Sequence, residues 1–138
     1  MKNFTALVIF SLFGIPILFA QNTIEVEITN FDSDKGAAFI GLYNAKDSFL
    51  KNEFKGEKAA IKNNRVRFSF KDIPDGVYAV SVFHDEDDSG DLSTNFLGIP
   101  KESYGASNNP SGVFGPPKWE HSKFKVGDAT RVKIAIRL

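Results

Sequence analysis

The 138-residue chain carries 17 basic and 17 acidic residues, a formal net charge of zero and no cysteine. With no basic patch or stripe, it lacks the electrostatic footprint of a nucleic-acid binder. With no cysteine it forms no disulfide and takes no lipid on an N-terminal cysteine, so the fold must rest on its apolar core.

The chain opens with Met1-Lys2-Asn3, then an apolar run from Phe4 to Ala20 interrupted by Thr5, Ser11, Gly14 and Pro16. A positive start, a short apolar core and a small residue at the end predict a signal peptide over residues 1–20, cleaved before Gln21. The alternative is an uncleaved anchor. It is weaker, because the run barely reaches the ~20 residues a spanning helix needs and Pro16 sits inside it. Cleavage leaves residues 21–138, enough for one domain, with no integral membrane segment and a secreted or periplasmic location. A domain of this size buries roughly two thirds of its unfolded surface, so it needs no metal or disulfide simply to fold.

From Thr23 the pattern has a period of two. Ile24, Val26 and Ile28 alternate with Glu25, Glu27 and Thr29, which predicts a half-buried strand. Asp32-Ser33-Asp34-Lys35-Gly36 is turn chemistry. Ala37 to Asn44 predicts a second strand, apolar on both faces and therefore central. Lys46 to Lys58 reads as a loop or short helix, Ala59-Ala60-Ile61 as a short strand, and Asn63-Asn64 as a turn. In the strand Arg65 to Phe70, the side chains of Val66, Phe68 and Phe70 face inward. Asp72 to Gly76 turns, and Val77 to His84 is the most hydrophobic strand of the mature chain. Ser122 to Val126 predicts a short strand, Gly127-Asp128 turns, and Val132, Ile134, Ile136 and Leu138 alternate in a last one. No helical period stands out. The expected fold is all-β: a single antiparallel β-sandwich, immunoglobulin-like or prealbumin-like, of about seven strands with one long ordered loop.

That long stretch, Val82 to His121, holds both histidines, the only tryptophan and four of the six prolines. A connection this long is either functional or disordered, and its aromatic anchors (Phe96, Tyr104, Phe114, Trp119) argue against disorder. Asp85-x-Asp87-x-Ser89-Gly90-Asp91-Leu92 has the opening spacing of a calcium loop, with oxygen side chains at positions one, three and five and glycine at six. Asp85, Asp87 and Ser89 would supply side-chain oxygens, Asp91 a carbonyl, and Ser93 a hydroxyl or a water. Phe96 occupies position twelve and cannot ligate, so this is not an EF-hand. Glu102 is the candidate for the missing carboxylate, reaching back across the Gly98-Ile99-Pro100 turn. The plain alternative is an acidic, solvated turn.

His84, His121 and Glu102 could instead meet to hold zinc, although no zinc-enzyme motif is present. A histidine ending an inward strand face is more often structural. Trp119, Tyr104, Phe96 and Phe114 could form a platform for a sugar or peptide, or could plug the end of the sandwich. The entropy of ordering so long a loop favours the plug.

At these residues a resemblance becomes specific. Phe83-His84-Asp85-x-Asp87-x-Ser89-Gly90, Asn95-Phe96-Leu97-Gly98-Ile99-Pro100-Lys101-Glu102-x-Tyr104-Gly105-x-Ser107-Asn108 and Gly115-Pro116-Pro117-x-Trp119 resemble a family of exported bacterial proteins, domain of unknown function 2141. The resemblance covers nearly the whole mature chain and implies a compact secreted or periplasmic β-sandwich, with no activity attached. Ser93 stands where such proteins often carry aspartate, which removes a carboxylate ligand, and Trp119 where phenylalanine is common.

Two functions follow as expectations. The first is a non-catalytic exported module binding a cation, probed as calcium, or a glycan, protein or small ligand through the loop. The second is a metal-dependent hydrolase using His84, His121 and the nearby carboxylates. The lack of a catalytic motif favours the module. The location is tested by intact-mass measurement of protein from its native host. Mature material should begin at or near Gln21, and a retained Met1–Ala20 segment would defeat the export reading.

Overall fold

The computed structural model describes residues 21–92, 95–97, 100–111 and 115–138. The expected signal peptide, Ser93, the Gly98-Ile99 half of the turn and Phe114 lie outside the described residues. Among the described residues the chain is all-β apart from one helical turn, and no helix is long and apolar enough to cross a membrane.

The alternating segments become strands where expected. Strand β1 (Asn22–Thr29) lies at the centre of a three-stranded sheet, between β4 (Arg65–Ile73) and β8 (Arg131–Arg137). Its inward residues pair with inward residues on both sides: Ile24 with Phe70 and Val132, Val26 with Phe68 and Ile134, Ile28 with Val66 and Ile136. The second sheet runs β3 (Lys55–Ala59), β2 (Ala37–Tyr43), β5 (Gly76–Asp85), β6 (Tyr104–Ala106), with β7 (Phe124–Val126) on the start of β5. Ala38, Ile40 and Leu42 of β2 face His84, Val82 and Val80 of β5. The apolar rows of both sheets meet in one continuous core, in which Ile24, Ile28, Leu42, Val80 and Ile136 are fully buried.

Four expectations are corrected. The pairing is not antiparallel throughout, because β1 and β8 run parallel. They are the first and last strands, so no tight hairpin ties their directions together. The third strand is Lys55–Ala59 rather than 59–61, inside the segment expected to be a loop or short helix. It is an edge strand of charged and glycine residues, held by backbone pairing to β2, and such edges carry no apolar alternation to read. β6 interrupts the long loop, and with it the described residues hold eight strands. Trp119–Ser122 forms α1, one turn, too short to leave a period in the sequence.

The turns behave as their residues dictate. Asn63 and Asn64 both adopt positive φ (53° and 56°), and Lys62 and Arg65 exchange both backbone hydrogen bonds, as a two-residue hairpin requires. The Asp34 carboxylate accepts both turn amides, from Asn63 at 2.8 Å and Asn64 at 2.6 Å. Buried Asn22 donates to the Ile73 carbonyl and to Asp75 and accepts the Thr130 amide, tying the two outer strands to β1 at one end of the three-stranded sheet. At the opposite end, Asn109 accepts the Arg137 amide at 2.8 Å and donates to the Ala135 carbonyl at 3.0 Å.

Val80 and Ile134 come from different sheets and enter the same core. Truncating either to alanine should cost about 2–4 kcal/mol in denaturant unfolding. A loss under about 0.5 kcal/mol would show that the site collapses without penalty and is not core.

Candidate functional site

The site begins where β5 runs out of sheet. His84 and Asp85, its last two residues, are both buried. His84 points inward: its Nε2 lies 2.8 Å from the Lys35 carbonyl, and its ring meets Phe31 edge-on at 5.4 Å. A carbonyl only accepts, so Nε2 carries the proton and donates. The His84 amide donates to the Ser103 carbonyl at 2.9 Å.

That last bond continues the β5–β6 ladder. Phe83 pairs with Tyr104, so two places further the antiparallel register sets Glu102 opposite Asp85. Carboxylate oxygens of Asp85, Asp87 and Glu102 consequently lie within 4.8 Å of one another, with Asp85 buried, Glu102 half-buried and Asp87 exposed. Among the described residues this is the group of three or more potential ligands that converges, and neither histidine belongs to it.

The Asp85 carboxylate also shapes the loop around it. Oδ1 accepts the Ser89 amide at 2.8 Å and Oδ2 accepts the Gly90 amide at 2.9 Å. Asp87 accepts the Ser89 amide as well, at 3.1 Å. The Ser89 hydroxyl lies 3.2 Å from Asp85 Oδ1 and 2.9 Å from the Asp91 carbonyl, so it bridges the residue that opens the loop and the one that closes it. Burial pushes the Asp85 carboxyl up. The amides of Gly90 and Ser89, then Asp87 and the Ser89 hydroxyl, outweigh burial and hold it below the usual carboxylate range.

Neighbouring segments close in on the same end. Gly36 has φ of 66°, and a Cβ there would fall 1.9 Å from the Asp85 carbonyl oxygen, so only glycine fits. Ser33 donates to Glu86, Ser103 donates to Asp32, and Lys58 of β3 pairs with Asp88.

The remaining candidates fall elsewhere. Trp119 packs edge-on against Phe49 at 5.8 Å, against a small cluster with Tyr43 and Ala79 on the outer face of the five-stranded sheet. Tyr104 lies on β6, half-buried, and its hydroxyl donates to the Gly115 carbonyl at 3.3 Å. Phe96 is 95% exposed and plugs nothing. His121 is exposed on α1, where Asn108 holds its carbonyl. Ser107 ties α1 to β5 at Val80, which is about 13 Å along the strand from His84. The three groups expected for zinc therefore do not assemble: Glu102 is at the acid end, His84 is bonded to Lys35, and His121 is on the far helix. Sequence reasoning did not find Lys58, Ser33 or Gly36, because their relation to the site is entirely tertiary.

The sequence model of a family described as an uncharacterized protein conserved in bacteria, DUF2141, matches residues 26–134. The chain belongs to that family. No curated protein and no solved structure matches the chain. The match runs from Val26 in β1 to Ile134 in β8, so it spans β2 to β7 whole, parts of β1 and β8, and the acidic end. The family description attaches no chemistry to these residues, and the geometry must supply it.

Because its folded pKa is depressed, Asp85 contributes stability above the unfolded aspartate value of about 4. That contribution is lost as pH falls through the folded value. In chelator-containing buffer Asp85→Asn should lower Tm at neutral pH, and the gap to the unsubstituted protein should close on acidification. A gap unchanged by pH would show that the negative charge is not what holds the loop.

Proposed function

We propose that this DUF2141 protein is an exported, non-catalytic module, a prealbumin-like or immunoglobulin-like β-sandwich, that binds a calcium-type divalent cation at the end of β5. The observation that carries the reading is the convergence of Asp85, Asp87 and Glu102, from two separate arms of the chain, within 4.8 Å. Three like charges at such distances repel, and a divalent cation relieves that repulsion more effectively than solvent does.

The donor set favours a hard ion. Carboxylates, the Ser89 hydroxyl and the Asp91 carbonyl are oxygen ligands, the set calcium takes at six to eight positions in irregular geometry. The nearest imidazole, His84, is engaged with Lys35, so a nitrogen-rich zinc shell draws no support from this end. The alternative of a metal-dependent hydrolase also needs His121, which the fold carries to another part of the molecule. The export half of the proposal rests on the leader-like first 20 residues alone.

Three carboxylates in a partly open loop should bind weakly, in the range of extracellular modules, about 10⁻⁴–10⁻³ M. At ten times the dissociation constant the ion would stabilise the fold by about 1.4 kcal/mol. Thermal unfolding across a calcium titration should show Tm rising, and Asp87→Ala should abolish the rise. Equal Tm in millimolar calcium and in chelator would leave the acidic turn as the answer.

A further inference from the structure

We propose that the outer face of the three-stranded sheet is a docking surface for an anionic lipid membrane, on which the domain lies with these strands along the headgroup plane. The proposal shares the export reading with the proposed function and does not depend on a cation at the acidic end.

No run of basic residues marks the sequence; strand register gathers them. Residues paired across neighbouring strands share a face. Thr29 of the central strand is opposite Arg65 on β4 and Arg137 on β8, and Lys62 is opposite Arg65 across the hairpin. Glu27 is opposite Arg67 and Ala135, Glu25 is opposite Ser69 and Lys133, and Thr23 is opposite Arg131. These rows set six cationic side chains, all exposed, against two carboxylates. Past the register shift near Asn22, exposed Lys71 and Asp72 offset each other, and Asp34 at the hairpin is engaged with the Asn63 and Asn64 amides.

The two carboxylates of the face are already engaged. Glu27 lies 3.4 Å from Arg65 and 3.3 Å from Arg67, and Glu25 lies 2.8 Å from Arg131. Lys62, Lys133 and Arg137 pair with no carboxylate among the described residues. The cations form two stripes, one on β4 and its hairpin and one on β8, about 10 Å apart across β1. The β8 stripe runs about 20 Å from Arg131 to Arg137. The excess positive charge is therefore spread over an area and not along a line.

Charge complementarity and the place of the leader point to the same occupant. Clustered Lys and Arg are drawn to anionic lipid headgroups. A plane of headgroups meets both stripes at once, whereas a single extended polyanion follows one. The rows hold no aromatic or large apolar side chain that would stack a base or seat a peptide anchor. The apolar run Phe4 to Ala20 is joined by Gln21 alone to Asn22, the first residue of β1. The leader that brings the chain to a membrane thus delivers it directly into the central strand of the basic face. The acidic cluster belongs to the end of the other sheet and is not part of this face.

The test is co-sedimentation of the mature chain, in chelator, with vesicles of phosphatidylcholine alone or mixed with phosphatidylglycerol. The protein should bind the mixed vesicles and not the pure ones, and binding should fall as salt shortens the screening length. Each Lys or Arg near such a surface is worth about fivefold in partition, so Lys133→Gln with Arg137→Gln should weaken binding about 25-fold at low salt. Both side chains are exposed, so Tm should not move, and Lys133→Arg should retain binding. Lys51→Gln with Lys125→Gln removes two exposed cations away from this face and should leave binding unchanged. Equal binding to both kinds of vesicle overturns the proposal, as does an equal loss from the two double variants, which would make net charge the cause. Binding to neither also overturns it, and capture of polyglutamate in that case would make the partner an acidic protein. The calcium dependence of Tm is read separately, so the two proposals fail independently.

Discussion

One constraint organises the molecule: β5 is an interior strand of the five-stranded sheet, and both of its edges must be hydrogen-bonded. On one side β2 covers it from Ala79 to Asp85. On the other, β7 covers Gly76 to Tyr78, the Ser107 hydroxyl and backbone serve Val80, and β6 covers Ser81 to Phe83. The chain therefore leaves the end of β5, travels some distance and returns to the same edge twice. Because β6 returns antiparallel, the residues just before it come down beside the residues just after β5. Glu102 meets Asp85 because the ladder needs a partner there, and the acidic end is a by-product of completing the sheet.

The strands that were legible are those with one face in the core. β1, β4, β5 and β8 alternate because each buries every second side chain, and their inward residues match the expected ones closely. The double apolar pattern of β2 was informative too: its inner residues feed the core, while Phe39 and Tyr43 line the outer face. What escaped notice carries no apolar alternation to read. β3 is charged and glycine-bearing because an edge needs no apolar face, β6 is three residues long, and α1 is a single turn. The parallel run of β8 beside β1 leaves no trace in either segment, since alternation is blind to direction.

The acidic end was half-legible for reasons that differ by residue. Asp85, Asp87 and Ser89 announce themselves by spacing, and the glycine after them permits the turn that gathers their amides. Glu102 was nominated for its reach across a turn, whereas its position follows from register. His84 attracted attention as a potential ligand, yet its place among Phe31 and the Lys35 carbonyl is that of a core residue needing one acceptor. The basic face was invisible. Arg65, Lys133 and Arg137 belong to strands far apart in the chain, and only the pairing of three strands sets them on one surface.

The Asn109 side chain has a consequence beyond its two hydrogen bonds. β8 is one of the two edge strands of the three-stranded sheet, and an uncovered edge is a template on which another chain can add a strand. By offering one carbonyl and one amine to Arg137 and Ala135, Asn109 imitates a passing peptide and occupies the sites an incoming chain would need. Arg131 and Lys133 place charge along the remainder of the strand. The last stretch of the β8 edge is thus capped by one amide side chain where a larger domain would spend a helix.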